Sequence, residues 1–203
     1  MARTDGIARP RTPPTNRGFR LAGANEVASA SASASVCSLP AACGRHSIPA
    51  LSGHWTELME ILFRVATSED YAFLRNLNRL AYEDLVKRQF GIWDDNLQKE
   101  RFDSKLQCAT FRIVELAGRP IAAVWSSEHA DHVYLHELLV LPEFQNQGIG
   151  SQILRCELDR AESVKKPIRV HALLLNRALG FYKRHGFIET GRSDLYVDME
   201  KKG

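Results

Sequence analysis

A mixed α/β domain is what this 203-residue sequence predicts, over residues 59–203 and behind a disordered N-terminal tail. Three observations lead there. Short apolar runs with strand character alternate with segments whose apolar residues recur at helical spacing, in the order β-α-α-β-β-β-α-β-α-β-β. Some strand candidates are joined by tight turns and others by a helix, so one central sheet, flanked by helices, must contain both antiparallel and parallel pairs. Residues 1–58, by contrast, have no periodic apolar pattern at all.

The tail holds an Ala/Ser alternation from Ala28 to Ser35, and Pro10, Pro13 and Pro14 among arginines. Such sequence buries too little apolar surface to offset chain entropy, so residues 1–58 read as a low-complexity extension. Two origins stay open for it. An arginine- and serine-rich, acid-poor leader suits an organelle transit peptide. A reading frame begun too early suits it better, because Met59 directly precedes the first orderly segment.

Ile61–Ala66 reads as the first strand. Thr67 and Asp70, three apart, have the form of a capping box, and Tyr71, Leu74, Leu77, Ala81 and Leu85 then mark a helix ending before Gly91. A second helix is expected from Asp94 to Lys105. Phe111–Leu116, a turn at Ala117–Pro120 and Ile121–Ser127 form a hairpin, and His132–Leu141 is the next strand. Ile149, Ile153, Leu154 and Leu158 place one face of a helix over 148–162 against the core. Ile168–Leu174 is a strand and Asn176–His185 a short helix stopped by Gly186. Strands at Phe187–Thr190 and Leu195–Met199, around Gly191, close the chain.

Charge excludes several classes of partner. The formal net charge is +3, but residues 1–58 contain six of the 27 basic and three of the 24 acidic residues. The body is therefore neutral, with 21 of each sign, and neither nucleic acid nor an anionic membrane surface is implied. No apolar run approaches the roughly 18 residues of a membrane helix. Cys37, Cys43, Cys108 and Cys156 lack C-x-x-C spacing, which favours free thiols in a reducing, cytoplasmic compartment. His129 and His132 flank Asp131, but a plain polar turn explains them, and no metal site is expected.

The stretch from Val133 to Leu158 carries the chemistry. A strand ends at Leu141-Pro142, and Gly148-Ile149-Gly150 opens the following helix. Exposed amides at a helix N-terminus, with the helix dipole, favour an anion such as a phosphate. The longer string Val140-x-Pro142-x-Phe144-Gln145-x-Gln147-Gly148-x-Gly150 resembles the acetyl-CoA-binding motif of the GCN5-related N-acetyltransferases, the GNAT family. A second string, Asn176-x-Ala178-x-x-Phe181-Tyr182-x-x-x-Gly186-Phe187, resembles that family's other signature. The resemblance covers nearly all of 60–200 and implies a GNAT-like fold.

It also implies an acetyltransferase that moves the acetyl group of acetyl-CoA to a primary amine by direct attack. The acceptor would be a small molecule or a peptide. By resemblance, Gln145, Gln147, Gly148, Ile149, Gly150 and Ser151 hold the pyrophosphate of coenzyme A, and Leu138, Leu139, Val140 and Asn176 border its pantetheine arm. Tyr182 is then the acid that protonates the leaving thiolate, and Glu137 the base. Transfer to an amine needs deprotonation, oxyanion stabilisation and thiolate protonation, and a phenol suits the last. For Asn176, a helix N-cap is an equally good reading. His136, adjacent to Glu137, is expected on the opposite face of the strand. The acceptor region reads Ala81 to Asp95, either a pocket of aromatics among acids or simply a core face formed by Leu85, Phe90 and Trp93. A non-catalytic coenzyme-A-binding module of the same fold is the rival reading. A plain nucleotide-phosphate binder is a third, and the sequence leaves a homodimer open.

Overall fold

A computed structural model describes residues 60–202. The tail assigned above to residues 1–58 lies outside the described residues. Seven strands form one sheet: β1 (Ile61–Val65), β2 (Arg112–Leu116), β3 (Arg119–Glu128), β4 (Val133–Val140), β5 (Ile168–Leu173), β6 (Ile188–Arg192) and β7 (Tyr196–Lys201). Their spatial order is β1-β2-β3-β4-β5-β7-β6. Four helices accompany them: α1 (Tyr71–Phe90), α2 (Asp95–Leu106), α3 (Ile149–Ser163) and α4 (Ala178–Arg184). Among the described residues, no helix is long and apolar enough to cross a membrane.

The chain order of elements is the one the apolar pattern predicts. The Thr67 amide and hydroxyl both donate to Asp70 Oδ2, at 2.8 and 3.2 Å, and so fix the entry to α1 through one 3-10 turn. Asp70 is buried, and the Arg64 guanidinium, bidentate at 2.7 Å, holds its carboxyl down at about 2. Asp94 caps α2 by accepting from the amides of Asn96 and Leu97.

Three boundaries differ from expectation, each for a local reason. The β2–β3 turn is two residues, Ala117 and Gly118, both at positive φ. That left-handed geometry matches strand twist, so β3 starts at Arg119 rather than after Pro120. The last helix is Ala178–Arg184, shorter than Asn176–His185, because Asn176 is spent on capping it. Gly191 does not separate the final strands. It lies inside β6 opposite Asp198, where the ladder shifts register beside Glu189.

Two core clusters lie on the two faces of the sheet. Under α3 and α4 lie Val114, Val124, Val133, Leu135, Ile153, Leu154, Ile168 and Val197. Under α1 and α2 lie Leu74, Leu77, Phe102, Phe111, Ile113, Ala123, Leu139 and Leu141. Residues of β4 belong to both sets, and the change of face falls in mid-strand. Trp125 pairs with Glu137 but Ser126 with Leu135, so β4 has one extra residue, a β-bulge at His136. Up to Leu135 the odd-numbered residues face α3, and from Glu137 on they face α1.

The bulge overturns one expectation. His136 does not point to the face opposite Glu137. It stacks on Trp125, with ring centroids 3.8 Å apart, and contacts Tyr134 at 4.6 Å. Trp125 packs in the α1 cluster and pairs with Glu137, so both His136 and Glu137 lie on that face. Strict alternation fails here because the inserted residue resets the phase of the strand.

Candidate active site

The sheet is divided where β4 meets β5. These parallel strands pair only at Val133–Ile168 and Tyr134–Arg169. Beyond Tyr134 they diverge, so β4 from Leu135 onward has no ladder partner on its β5 side. A cleft at the end of parallel strands in an open sheet is where α/β folds bind ligands.

The turn leaving β4 is exposed along Gln145–Gly148. Pro142–Phe144 form one 3-10 turn, and Phe144 anchors it by packing against both core clusters. Asn146 (φ 61°) and Gly148 (φ 82°) both take the left-handed conformation, at which glycine alone is unstrained. The Gln152 amide is the first to reach a helical carbonyl, that of Gly148 at 3.0 Å. The amides of Ile149, Gly150 and Ser151 precede that bond and have no intrahelical acceptor. Ile149 itself is buried and pins the first turn of α3 to the core. These are N–H donors at the positive end of a 15-residue helix, a donor set that suits a diphosphate.

On the α1 side of the cleft, Glu137 is 7% exposed and both its oxygens are engaged. Tyr82 Oη donates to Oε2 at 2.6 Å, and Lys105 Nζ forms an ion pair with Oε1. Burial first, then the Glu137 carboxylate, push the Tyr82 phenol well above its ordinary value. Tyr182, on α4, is 8% exposed, with its ring against Phe181 and Phe187 at centroid separations of 5.4 and 5.2 Å. Burial, then the charge on Glu137, raise its phenol too, so the hydroxyl remains a proton donor at neutral pH. Its hydroxyl makes no hydrogen bond to a described residue. Gly186, at φ 85°, ends α4 so that Phe187 re-enters the core beneath Tyr182.

The family model described as the acetyltransferase (GNAT) domain matches residues 107–189, which run from the end of α2 into β6. Residues 107–189 are thus similar to a GNAT acetyltransferase domain. Solved structures share the fold across the described body. The PaiA N-acetyltransferase from Thermoplasma acidophilum, in complex with coenzyme A, is 20% identical. It aligns over 71% of this chain and 100% of its own, with a TM-score of 0.57. An acetyltransferase from Thermus thermophilus is 16% identical over 70% of this chain and 97% of its own (TM-score 0.57). The ribosomal-protein-S18-alanine N-acetyltransferase from Escherichia coli is 16% identical over 70% and 94% (TM-score 0.53). No curated protein matches the sequence.

Within this fold, the residues named from sequence fall into two groups. Gly148, Ile149, Gly150 and Ser151 form the first turn of α3, and Leu138, Leu139 and Val140 line the divergent end of β4. Gln145 and Gln147 lie in the turn, but their side chains close it from within. Gln145 Nε2 donates to Val140 O at 2.8 Å, and Gln147 Nε2 to Glu143 O at 2.7 Å. Asn176 caps α4, its Oδ1 accepting from the Ala178 amide at 2.9 Å, which leaves its amide NH₂ group available.

Other residues were not singled out from sequence. Tyr82 lies three residues before Leu85, on the same stripe of α1, and a polar-tipped aromatic on a core stripe was the available signal. Lys105 had none, because nothing in the sequence ties the end of α2 to mid-β4. Trp93 and Asp95, from the expected acceptor region, instead line a groove between α1 and α2 with Tyr71, Arg75 and Arg79. Neither Glu137 nor Tyr182 borders that groove. Among the described residues, no group of three His, Cys, Asp or Glu is placed to hold a metal ion.

Proposed function

We propose that this protein is an acetyl-CoA-dependent N-acetyltransferase in which a primary amine attacks the thioester directly. The observation that carries the reading is the divergence of β4 from β5, with free helix amides at one end and Tyr182 beside Glu137 further in. The GNAT domain match over these same elements supports it, as does the fold shared with a PaiA enzyme crystallised with coenzyme A.

The amides of Ile149, Gly150 and Ser151 bind the diphosphate, and Gly148 holds the turn open for it. Main-chain groups of Leu138, Leu139 and Val140, with the Asn176 amide, border the pantetheine arm. Tyr182 gives its proton to the departing thiolate, and its raised pKa keeps that proton in place until then. Glu137 is the anionic pole that attracts the acceptor ammonium. Its two oxygens already accept from Lys105 and Tyr82, so it orders the charge of the cleft. The acceptor is a primary amine on a small molecule or a peptide. The ribosomal-protein-S18-alanine enzyme of similar fold gives a peptide α-amine as one concrete candidate.

The test begins with thermal melting of the full chain against acetyl-CoA, coenzyme A and ATP. A ligand at a hundred times its dissociation constant adds about 2.7 kcal/mol. Stabilisation by both CoA species but not ATP is expected, and no shift with either ends the reading. Thiol release over an amine panel follows. Its absence in the presence of CoA binding would instead favour a coenzyme-A-binding module without turnover.

A further inference from the structure

We propose that His136, Ser127 and His129 form a proton-exit relay for the acceptor amine, with His136 as the group that takes the proton. This rests on the acetyltransferase reading above and assigns a step which that reading leaves open. The bulge in β4 turns His136 onto the Glu137 face at the point where β4 and β5 separate. Its Nε2 lies 2.7 Å from Ser127 Oγ, and the same Oγ lies 2.9 Å from His129 Nε2. Trp125 stacks flat on the His136 ring and fixes its plane. His136 is partly buried, whereas His129 is exposed, so the three polar groups run outward to solvent.

Hydroxyl chemistry allows a relay along this line. Ser127 has one proton and two acceptor lone pairs. With His136 Nε2–H donating to Ser127 Oγ, the hydroxyl proton is directed at His129 Nε2. His136 Nδ1, which has no partner among the described residues, then accepts. An ammonium proton passes to Nδ1 as the Nε2 proton moves to Ser127, the serine proton moves to His129 Nε2, and His129 Nδ1–H releases a proton to water. The amine becomes neutral, one proton reaches solvent, and no charge remains on either ring.

A relay suits this imidazole better than storage would. Burial, then the His129 ring and the Lys105 ammonium, hold His136 down at about 4. The groups facing it are Lys105 from α2, His129 from the β3–β4 turn, and Tyr134 and Glu137 from its own strand. A proton resting there is disfavoured, so a neutral ring that passes it onward is the workable arrangement. Glu137 is already engaged by Lys105 and Tyr82.

The experiment is steady-state thiol release by the full chain, with whichever amine the wild type accepts, for His136→Gln, Ser127→Ala and the double variant. General-base removal of this kind costs about 100-fold in kcat. His136→Gln should lose about that much, Ser127→Ala about tenfold, and the double variant no more than His136→Gln, because the groups act in series. The kcat of His136→Gln should climb tenfold per pH unit toward the pKa of the amine, whereas that of the wild type levels off. A purely structural role would not produce that change of profile. CoA-induced melting shifts, unchanged in both single variants, certify the fold. If His136→Gln loses its shift, Ser127→Ala alone decides. Wild-type turnover with unaltered kcat and pH profile in Ser127→Ala overturns the relay alone. Wild-type failure with every amine overturns the acetyltransferase reading, and the relay with it.

Discussion

Two buried glutamates lie on opposite faces of this sheet, and their surroundings set them to different tasks. Glu157, on α3, is 0% exposed. It is ion-paired with Arg112 of β2, accepts from Ser126 Oγ at 2.6 Å, and lies 3.7 Å from Arg160 on its own helix. Glu137, on β4, is nearly as buried, but its partners are a lysine and a phenol at the edge of a cleft. Guanidinium and hydroxyl donors in a closed core fix a carboxylate in one geometry. A lysine on a flexible stem beside an opening leaves room for a further cation. Burial alone therefore does not mark a functional carboxylate. The partners, and whether the strands beside it are paired or parted, separate the two.

Substitution is the sharpest way to break the comparison. Removing one partner of a buried ion pair typically costs 3–5 kcal/mol. Glu157→Ala should lie at the low end, about 3 kcal/mol, because Arg112 and Arg160 are partly exposed and regain some hydration. Urea unfolding with an unchanged m-value is the measurement. A loss under about 1 kcal/mol would mean that this network is as dispensable as a surface pair.

Glu137→Gln should show the reverse pattern. Its amide preserves the shape and can still accept from Tyr82, and Lys105 is exposed enough to be solvated. Stability should fall by about 1 kcal/mol. Activity should fall about 10- to 100-fold, largely in kcat/KM for the amine, because the charge that attracts the ammonium is gone. Equal losses of stability in Glu157→Ala and Glu137→Gln, with activity intact in the latter, would erase the distinction drawn here.

How much of this was legible beforehand depends on periodicity. The order of elements could be read because apolar spacing survives in every one, as Leu74, Leu77 and Leu85 show on α1 and Ile153 and Leu154 on α3. The turn before α3 could be read because glycine at Gly148 answers a backbone demand that is local in sequence. The interior of the cleft could not. Tyr82, Lys105 and Glu137 come from three elements, and the links between them span 55 and 32 residues. The bulge at His136 was equally hidden, since a period-2 pattern carries no mark of where its phase will slip. The side-chain amides of Gln145 and Gln147 are bound to nearby carbonyls, which only coordinates reveal.

Acidity offers a milder way to sharpen the comparison on the Glu137 face. His136 titrates near 4 in the folded protein and near 6.5 when unfolded. The unfolded chain therefore binds more protons between these values, and stability must fall as pH drops through that window. The contribution is fully present above about pH 6.5. Replacing His136 by Gln should flatten the stability curve between pH 6.5 and 4 by about 1–2 kcal/mol. Asp70, held down at about 2 by Arg64, loses its contribution only below about pH 4, so the two effects separate on the pH axis. An identical acid profile in His136→Gln would show that the ring protonates freely in the folded state.

The smallest expected effect concerns what sets the width of the cleft. Gln89, in the last turn of α1, reaches two loops on the far side of the β4–β5 divergence. Its Nε2 donates to Leu195 O at 2.9 Å, and its Oε1 accepts from the Leu175 amide at 3.3 Å. Arg88 adds a longer contact to Leu175 O at 3.5 Å. Helix α1 packs on β3 and β4, so one side chain ties the β4 half of the sheet to the β5–β7 half where the ladder between them has ended. Gln89→Ala should cost only about 0.5–1.5 kcal/mol of stability, the usual worth of such bonds. It should raise KM for the amine about threefold, while Glu157→Ala leaves KM unaltered in the fraction that remains folded. Hydrogen exchange at the amides of Leu174, Leu175 and Leu195 would report the loosening directly. Unchanged exchange there would place the closure of the cleft in the strands themselves rather than in this glutamine.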